Sequence, residues 1–526
     1  MSKPAMTRIG FFIALLFALS VQGVVPEWIW HHNDGEAPGN NEVRYFRKTF
    51  QLESKPAQAV LSIIADDEAE VWVNGTKSAS VKGWNAPTGK EVASRLKEGE
   101  NVIAIRGKSE AGEAAVMLQL AVGIPRNNGK HLIVTDGTWL ASKTGGKGWE
   151  QPNFSPTGDW VPAKTKGKAG AAPWGEVMKV GKATPASEIK ILPGFKIELL
   201  HSAELGEGSW ICMTVDDKGR LIISPQSNDQ PLFRITLSKS GQIEKWETIE
   251  TPIRQAMGLL YAYDSLYANC HGPKGVGLYR LVDKNRNDQF DADEFELLKN
   301  FDGVGEHGYH AVILGPDKKI YVMNGNHTKV PEGISPRSPH KNYDEDFLLP
   351  RQWDAGGHAV GVLAPGGYVL RTDKDGKEWE LMSAGYRNAY DFDFNADGEL
   401  FAYDSDMEWE WGMPWYKPTR VMHAVSAADF GWRSGSAKWP EYYADSLPAT
   451  VDTGIGSPTG VKFGTKSHFP EKYKRALYAM DWSYGRILAV HLTPKGASYT
   501  ATYEDLLRGK PLNVTDLEFG KDGAMY

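Results

Sequence analysis

GPDKKIYVMN, residues 315–324, is one of six copies of a turn that runs into a short apolar strand. The other copies are DDKGRLIIS (216–224), YDSLYANC (263–270), NADGELFAYDS (395–405), YKRALYAMDWS (473–483) and GKDGAMY (520–526). Neighbouring copies begin their apolar part 45 to 80 residues apart. Repeat units of about 40–50 residues, lengthened by loop insertions, have this period.

These copies predict an all-β fold with a six-bladed β-propeller over residues 186–526. A single four-stranded blade cannot bury both of its faces, so a ring of blades is the stable arrangement. Unrelated hairpins in a sandwich are the alternative. The sixth copy ends at Met525-Tyr526, so we expect this propeller to be truncated in blade six and to lack part of its channel wall. Either residues 189–200 fill part of the gap or the chain is a fragment, and we favour the fragment.

The N-terminal part alternates apolar and polar residues in VLSIIA (60–65), EVWVNG (70–75), NVIAIRG (101–107) and AVMLQLAV (115–122). Period-two alternation between Gly and Asn turns predicts antiparallel strands. The pattern resembles the galactose-binding-like jelly-roll modules that accompany many carbohydrate enzymes. We therefore expect a galactose-binding-like β-sandwich over residues 24–163. A linker over 164–185 follows, because that segment is rich in Lys, Gly, Ala and Pro.

The first residues have the layout of a signal peptide, predicted over 1–23. Lys3 and Arg8 precede an apolar run that is too short for a confident membrane span. An uncleaved anchor is the alternative. We expect a periplasmic or secreted protein with no stable membrane span after signal removal. The formal charge of −7 without a basic cluster argues against a nucleic-acid partner.

Cys212 and Cys270 are the only cysteines of the chain. Each lies in a strand-like apolar run, which favours two buried free thiols, and a disulfide in an oxidising compartment is the alternative. The chain has no C-x-x-C-H segment, so it carries no covalent c-type haem.

Two loops offer candidates for chemistry. His307 and His310 come just before the predicted innermost strand of a blade, where a histidine can act as a general base. Arg387 and Asn388 precede the innermost strand of the next blade, and a guanidinium is suited to carboxylates or quinone oxygens. Purely structural histidines and a loop-locking arginine are the alternatives.

The segment DKNRNDQFDADE (283–294) has oxygen donors at the spacing of an EF-hand loop. Asp288 replaces the usual Gly at position 6, which is tolerable because Asp can adopt a left-handed backbone conformation. A solvated acidic hairpin is the alternative. The predicted Ca²⁺ ligands are Asp283, Asn285, Asn287, Gln289 through its backbone carbonyl, Asp291 and Glu294.

The run H-x-x-x…GPDKKIYV followed by G-Y-R-N…DGELF resembles the soluble glucose/sorbosone dehydrogenase family of six-bladed propellers. The segments GEHGYHAVILGPD, LAPGGYVLRTDKDGKEWEL, DMEWEWGMPWYKPTRV, DFGWRSGSAKWP and GSPTGVKFG resemble its planctomycete-type subgroup of membrane-bound dehydrogenases. The resemblance implies that His307 is the catalytic base and that Arg387 and Asn388 contact pyrroloquinoline quinone. The cationic residues that hold the quinone in later blades of that family have no match here.

Three functions are compatible with these features. The first is an exported quinone-dependent dehydrogenase that oxidises a sugar or polyol hydroxyl and passes electrons to an external acceptor such as a cytochrome. The second is a non-catalytic carbohydrate-binding or scaffold protein with two recognition modules. The third is a lyase or hydrolase that uses His307, His310 and His358. The tryptophan-rich run 406–420 is either a sugar platform or a cover for one face of the propeller.

Overall fold

The computed structural model describes residues 25–31, 41–56, 58–85, 87–124, 129–175, 177, 183–203, 207–226, 231–249, 251–291, 293–303, 305–341, 353, 359–405, 418–434, 437–438, 440–444 and 446–526. The predicted signal peptide, His358 and residues 406–417 of the tryptophan-rich run lie outside these ranges. Among the residues described, no helix has the length and apolar character needed to cross a bilayer.

The N-terminal part is a sandwich of two antiparallel sheets. In spatial order the first contains Lys164–Lys168, Glu27–Trp30, Ala115–Ile124, Gln58–Asp66 and Thr88–Glu91, with Gly129–Val134 also paired to Ala115–Ile124. The second contains Val161–Pro162, Leu140–Ser142, Glu42–Leu52, Gly99–Ser109, Glu68–Val73 and Thr76–Lys82. A 3-10 turn at Ala93–Arg95 leads into Gly99–Ser109. The alternating apolar residues of both sheets point inward and form one core.

This sandwich extends beyond the predicted boundary at residue 163. Lys164–Lys168 pairs with Glu27–Trp30 along its whole length. Trp174 stacks on Trp28 with ring centroids 4.5 Å apart. Lys164, Lys166 and Lys168 of the predicted linker belong instead to a charged strand at the edge of the sheet, which discourages pairing with another molecule.

The larger part of the chain is an array of antiparallel blades. From the innermost strand outward, blade one is Trp210–Val215, Leu221–Pro225, Leu232–Leu237 and Ile243–Ile249, and blade two is Arg254–Ala262, Ser265–Gly272, Gly275–Leu281 and Phe295–Asn300. Blade three is Tyr309–Leu314, Ile320–Asn324, Gly367–Thr372 and Trp379–Tyr386, and blade four is Phe392–Phe394, Leu400–Asp404, Thr419–His423 and Val451–Gly454. Blade five is Pro458–Phe463, Leu477–Asp481, Arg486–Lys495 and Ser498–Arg508, with Lys190–Ile191 as a fifth, outermost strand.

A few short elements complete the propeller. They are the hairpin Trp432–Arg433 and Ala437–Lys438, the α-helix Glu471–Lys474 and the 3-10 turns Ala186–Glu188 and Gly464–Lys466. The first five predicted copies all coincide with the second strand of a blade, which confirms the repeat and the all-β fold.

Residues 514–526 supply the inner part of a sixth blade. The amide of Gly460 in blade five donates to the Thr515 carbonyl (2.9 Å). The Thr515 hydroxyl donates to the Trp210 carbonyl in blade one (2.8 Å). Glu518 and Tyr526 exchange two backbone hydrogen bonds, so a second short strand follows the first. The channel wall is therefore continuous between blades five and one, contrary to our expectation that part of it would be missing.

A cavity of about 700 Å³ lies outside this inner pair, between blade five and blade one. Its lining is largely apolar and includes Ile223, Met480 and Leu506. Residues 189–197 pack beside it against the blade-five core. The early segment thus covers part of the sixth-blade position.

Cys212 and Cys270 are buried and unpaired, as predicted. The Cys212 thiol donates to the Ala256 carbonyl of blade two (3.0 Å), so it forms part of the packing between blades. Burial raises the pKa of both thiols well above the usual value, which keeps them protonated.

Candidate functional site

The innermost strands run in the same direction, which brings the loops that lead into them to one face of the propeller. Asp391 accepts a hydrogen bond from the Val461 amide and Asp393 accepts one from the Phe463 amide, both at 2.8 Å. The two strands therefore advance together by two residues, as parallel neighbours do. Because the second strand of each blade is antiparallel to the first, the segment that leaves it lies on this same face. We call it the upper face.

His307 lies on the upper face in the loop that leads into blade three. Its side chain is only 3% exposed. Its Nδ1 lies 2.7 Å from Oδ1 of Asn326, in the segment that leaves the second strand of the same blade. An amide oxygen can only accept, so Nδ1 carries the proton and the lone pair lies on Nε2. His327 stacks on the imidazole with ring centroids 4.7 Å apart, which fixes the plane of the ring.

His310 differs from the prediction, because it lies within the innermost strand Tyr309–Leu314 and not before it. It is fully buried, and its two ring nitrogens lie 2.9 Å from the Ala389 carbonyl and 3.0 Å from the Glu306 carbonyl. Burial lowers its pKa to about 4 in spite of these two acceptors. His310 therefore joins blade three to the loop of blade four, which is a structural role.

Arg387 and Asn388 form the turn that leads into blade four, and one carboxylate holds this turn. Asp404, at the end of the second strand of that blade, is fully buried. Its Oδ2 accepts the Arg387 amide (2.8 Å), and its Oδ1 accepts the amides of Asn388 (2.8 Å) and Ser405 (2.9 Å). The Arg387 guanidinium donates to the Ser405 hydroxyl at 3.2 Å. The backbone of the turn is thus fixed by charge-assisted hydrogen bonds.

The structure brings the two predicted loops together. The amide of Asn326 donates to the Arg387 carbonyl at 2.9 Å. A Cβ atom placed on Gly325 would lie 2.5 Å from the His307 carbonyl oxygen and 2.9 Å from Oδ1 of Asn388. Only glycine permits this close approach. The backbone of the His307 loop and the Asn388 side chain therefore lie on either side of Gly325.

Two polar atoms at this junction fit a polar ligand. Nδ2 of Asn326 and Oδ1 of Asn388 are buried, and neither has a hydrogen-bond partner among the atoms that the structure describes. The Arg387 guanidinium and Nδ2 of Asn326 can donate to carboxylate or carbonyl oxygens of a quinone cofactor, and Oδ1 of Asn388 can accept from an N–H or O–H group. In blade five, Arg486 is engaged with Asp481 (2.8 Å) and the Thr453 carbonyl (3.2 Å). Blades three and four thus provide polar groups suited to a polar ligand, and Arg486 is already committed within blade five.

The predicted calcium loop, residues 283–294, forms the connection before the last strand of blade two. Asp288 has φ 62°, the left-handed conformation expected for position 6. Its carboxylate, however, pairs with Arg220 (2.9 Å) and Lys218 (2.7 Å) of blade one. These cations lower the pKa of Asp288 further than burial raises it.

Asp283 and Glu294 of this loop accept backbone amides, and Asp291 accepts the side-chain amide of Asn285 (2.8 Å). Asp283 accepts the backbone amides of Asn287 (3.1 Å) and Asp288 (2.9 Å), and Glu294 accepts three amides of the loop. In the part of the chain that is described, no three His, Cys, Asp or Glu side chains converge to hold a metal ion. The order of the donors along the loop matches a Ca²⁺ site. In this arrangement, however, the carboxylates bond to protein groups and do not point at one common position.

A buried charged cluster in the channel was not anticipated from the sequence. Nζ of Lys462 lies 3.1 Å from Oε2 of Glu518, and Asp391, Asp393 and Asp516 complete the cluster. Burial would lower the pKa of Lys462, but the carboxylates raise it well above its usual value. Burial raises the pKa of Asp391 to about 6. The alternating acids in D-F-D-F (391–394) and D-L-E-F (516–519) are the signal that could have revealed it, since acids are rare on buried inner strands.

Comparisons with solved structures found proteins that resemble this chain weakly, at low sequence identity and low TM-score. No family model and no curated protein matches the chain. A solved lectin of Pleurotus ostreatus is 29% identical over 30% of this chain and 46% of its own, with a TM-score of 0.28. This chain therefore spans less than half of that lectin.

Two solved dehydrogenases align with a longer part of the chain. One is a glucose dehydrogenase-type oxidoreductase of Thermus thermophilus, at 16% identity over 64% of this chain and 92% of its own (TM-score 0.43). The other is the PQQ-bound aldose sugar dehydrogenase of Streptomyces coelicolor, at 16% identity over 64% and 90% (TM-score 0.41). The fold assignment itself rests on the sheets described above.

Proposed function

We propose that the chain is a quinone-dependent dehydrogenase that oxidises a hydroxyl of a sugar or polyol, with His307 as the general base. The observation that carries the proposal is the hydrogen bond of 2.7 Å between Nδ1 of His307 and Oδ1 of Asn326. It fixes the tautomer in which Nε2 can accept a proton. A base of this kind contributes about 10²–10⁴-fold to the rate of a proton transfer.

The roles of the residues follow from their positions. Nε2 of His307 accepts the proton of the substrate hydroxyl, and the His327 ring keeps the imidazole in its plane. Arg387, Asn388 and Nδ2 of Asn326 would hold pyrroloquinoline quinone at the junction of blades three and four. When bound, the quinone would supply the oxidising power as the acceptor of the substrate hydride. Asn326 therefore has two roles, because its Oδ1 positions His307 and its Nδ2 would contact the cofactor.

Several further features belong to the same proposal. We place the protein in the periplasm or outside the cell, on the signal-peptide layout of residues 1–23. The electrons of the quinol would leave to an external acceptor such as a cytochrome. Calcium at residues 283–294 would serve as a stabiliser of blade two, and binding would require the carboxylates to turn away from the backbone amides.

The direct test is dye reduction after reconstitution with pyrroloquinoline quinone and Ca²⁺ in the presence of aldoses. His307→Ala should lower kcat by at least about a hundredfold while the cofactor still binds. Asn326→Leu should lower kcat and change its pH profile. His491→Asn is the matched control, because His491 is bonded to Glu504 at the outer edge of blade five. Dye reduction that survives in His307→Ala would refute the role of His307.

The second candidate is a non-catalytic carbohydrate-binding protein. It is favoured by Trp84, which is 43% exposed on a loop of the N-terminal sandwich. Exposed indole rings stack on sugars. This candidate predicts glycan binding by the cofactor-free protein that is lost in Trp84→Ala, with no sugar-dependent dye reduction. A glycan array that shows no binding would remove it.

A further inference from the structure

Trp482 and Tyr484 lie on the upper face in the segment that leaves the second strand of blade five. Antiparallel pairing of Pro458 with Asp481 places this segment beside the loop that leads into the innermost strand. The same register, Tyr309 with Asn324, places Asn326 beside His307 in blade three. The aromatic segment of blade five is therefore the structural counterpart of the segment that positions the candidate base.

Both rings are held out into solvent. Trp482 is 46% exposed and Tyr484 is 51% exposed, and Ile455 is exposed in the neighbouring loop. Among the tryptophans that the structure describes, only Trp84 and Trp482 are exposed to this extent. Every other described tryptophan is buried or of intermediate exposure, so the exposure of Trp482 is unusual for this chain.

The segment is nevertheless fixed. Asp481 is fully buried and accepts hydrogen bonds from the amides of Ser457 (3.0 Å) and Tyr484 (3.3 Å). It also pairs with Nε of Arg486 at 2.8 Å. The Arg486 guanidinium lies 5.5 Å from the centre of the Tyr484 ring, a cation–π distance. One buried carboxylate thus holds both loops of blade five, in the way that Asp404 holds the Arg387–Asn388 turn of blade four.

Rigid, half-exposed rings beside polar groups have the chemistry of a sugar-binding surface. An aromatic ring covers the apolar face of a pyranose, and the polar groups at its edge meet the hydroxyls. Because hydrogen bonds already hold the backbone of this segment, little backbone entropy would be lost on binding. Blade five lies next to blade four, so these rings share the upper face with the Arg387–Asn388 turn, and His307 lies one blade farther along that face.

We propose that Trp482 and Tyr484 form a carbohydrate-stacking subsite that binds one unit of an oligosaccharide, separate from the unit presented to His307. The ligand is then an oligosaccharide rather than a free monosaccharide. The part of this inference that concerns the reacting unit rests on the proposed dehydrogenase function, and the binding of sugar to the rings does not.

Calorimetric titration of the cofactor-free protein with cellotetraose and with glucose tests the binding. Trp482→Ala should weaken cellotetraose binding about tenfold, the effect of one ring contact of about 1.4 kcal/mol. Tyr484→Ala should have a similar effect, and Trp482→Phe should lie between parent and alanine variant. Tyr503→Ala, which removes a 40% exposed ring from the outer strand Ser498–Arg508 of the same blade, is the matched control and should bind as the parent does. An unchanged affinity in Trp482→Ala, or no binding of cellotetraose by the parent, would overturn the subsite.

Kinetics of the reconstituted protein separate this inference from the proposed function. Trp482→Ala should raise KM for cellotetraose about tenfold, leave its kcat near that of the parent, and leave KM for glucose unchanged. An equal rise in KM for glucose would place the rings at the sugar unit that reacts, and it would contradict a subsite separate from that unit. If the parent reduces no dye but binds cellotetraose through Trp482, the oxidation is refuted and the subsite stands.

Discussion

Replacing Asp404 by Asn tests whether one carboxylate positions the candidate cofactor turn. Asparagine has nearly the same shape, but only one of its two terminal atoms can accept a hydrogen bond. The oxygen can retain the amides of Asn388 and Ser405, which both lie on Oδ1 in the parent at 2.8 and 2.9 Å. The NH₂ group then faces the Arg387 amide. Two hydrogen-bond donors meet at the place where the parent has a hydrogen bond of 2.8 Å.

The loss can be given a magnitude. A hydrogen bond to a charged group contributes about 1.5–3 kcal/mol, and the two bonds that remain lose their charge assistance. We therefore expect Asp404→Asn to lower the free energy of unfolding by about 3 kcal/mol. Urea titration followed by tryptophan fluorescence measures this change. The same variant should weaken binding of pyrroloquinoline quinone, because the Arg387–Asn388 backbone is no longer held.

Asp481→Asn is the matched control, since Asp481 is an equally buried carboxylate at the same position of blade five. It should cost a similar free energy of unfolding but leave quinone binding close to that of the parent. A change in stability below about 0.5 kcal/mol for Asp404→Asn would show that the carboxylate does not hold the turn. Equal losses of quinone binding in both variants would show that the effect is general destabilisation.

Two further predictions concern the channel and the blade-two loop. The pKa of Asp391 is raised to about 6 by burial, so the folded state binds more protons than the unfolded state, and this contribution to stability is lost as the pH rises from about 4 to about 6. Urea unfolding across pH 4–7 should show Asp391→Asn gaining about 3 kcal/mol relative to the parent over that interval, and a constant difference between the two would contradict the assignment. Calcium should raise the melting temperature of the parent, with about 2.7 kcal/mol of stabilisation at a hundredfold excess over Kd, and Asp291→Asn should abolish the shift. Magnesium serves as the control cation, and a parent that calcium leaves unchanged would exclude a site in this loop.

The repeat was the part of the fold most accessible from the sequence. Each of the copies from 216–224 to 473–483 became the second strand of a blade, because a turn followed by alternating apolar residues can pair on both sides in a ring. The sixth copy also pairs inward, through Glu518 and Tyr526. The closure of the channel could not be predicted, since it depends on Thr515 and Asp516 reaching blade one across about 300 residues of chain.

The candidate site was only partly predictable. His307 and Arg387 could be proposed because they precede inner strands. His310 was predicted before the strand but lies within it, where it is buried and joins two loops instead of being available as a base. Asn326 and Asp404 were missed, although both leave a second strand on the upper face. Their role depends on which amide or ring nitrogen they reach, and that is set by the register between strands rather than by any local pattern.

The inner closure of the ring sets where the molecule opens first. Blades one and five are joined at the rim of the channel by the hydrogen bonds of residues 514–519, while farther out they are separated by the apolar cavity of about 700 Å³. The hydrogen bonds that join blades one and five lie close to the channel, whereas the contacts between other neighbouring blades also extend outward along their sheets. We expect heat or mechanical tension to separate blades one and five before any other pair of neighbouring blades. The Lys462 cluster, at the inner end of the seam, would then be the first buried group to meet water.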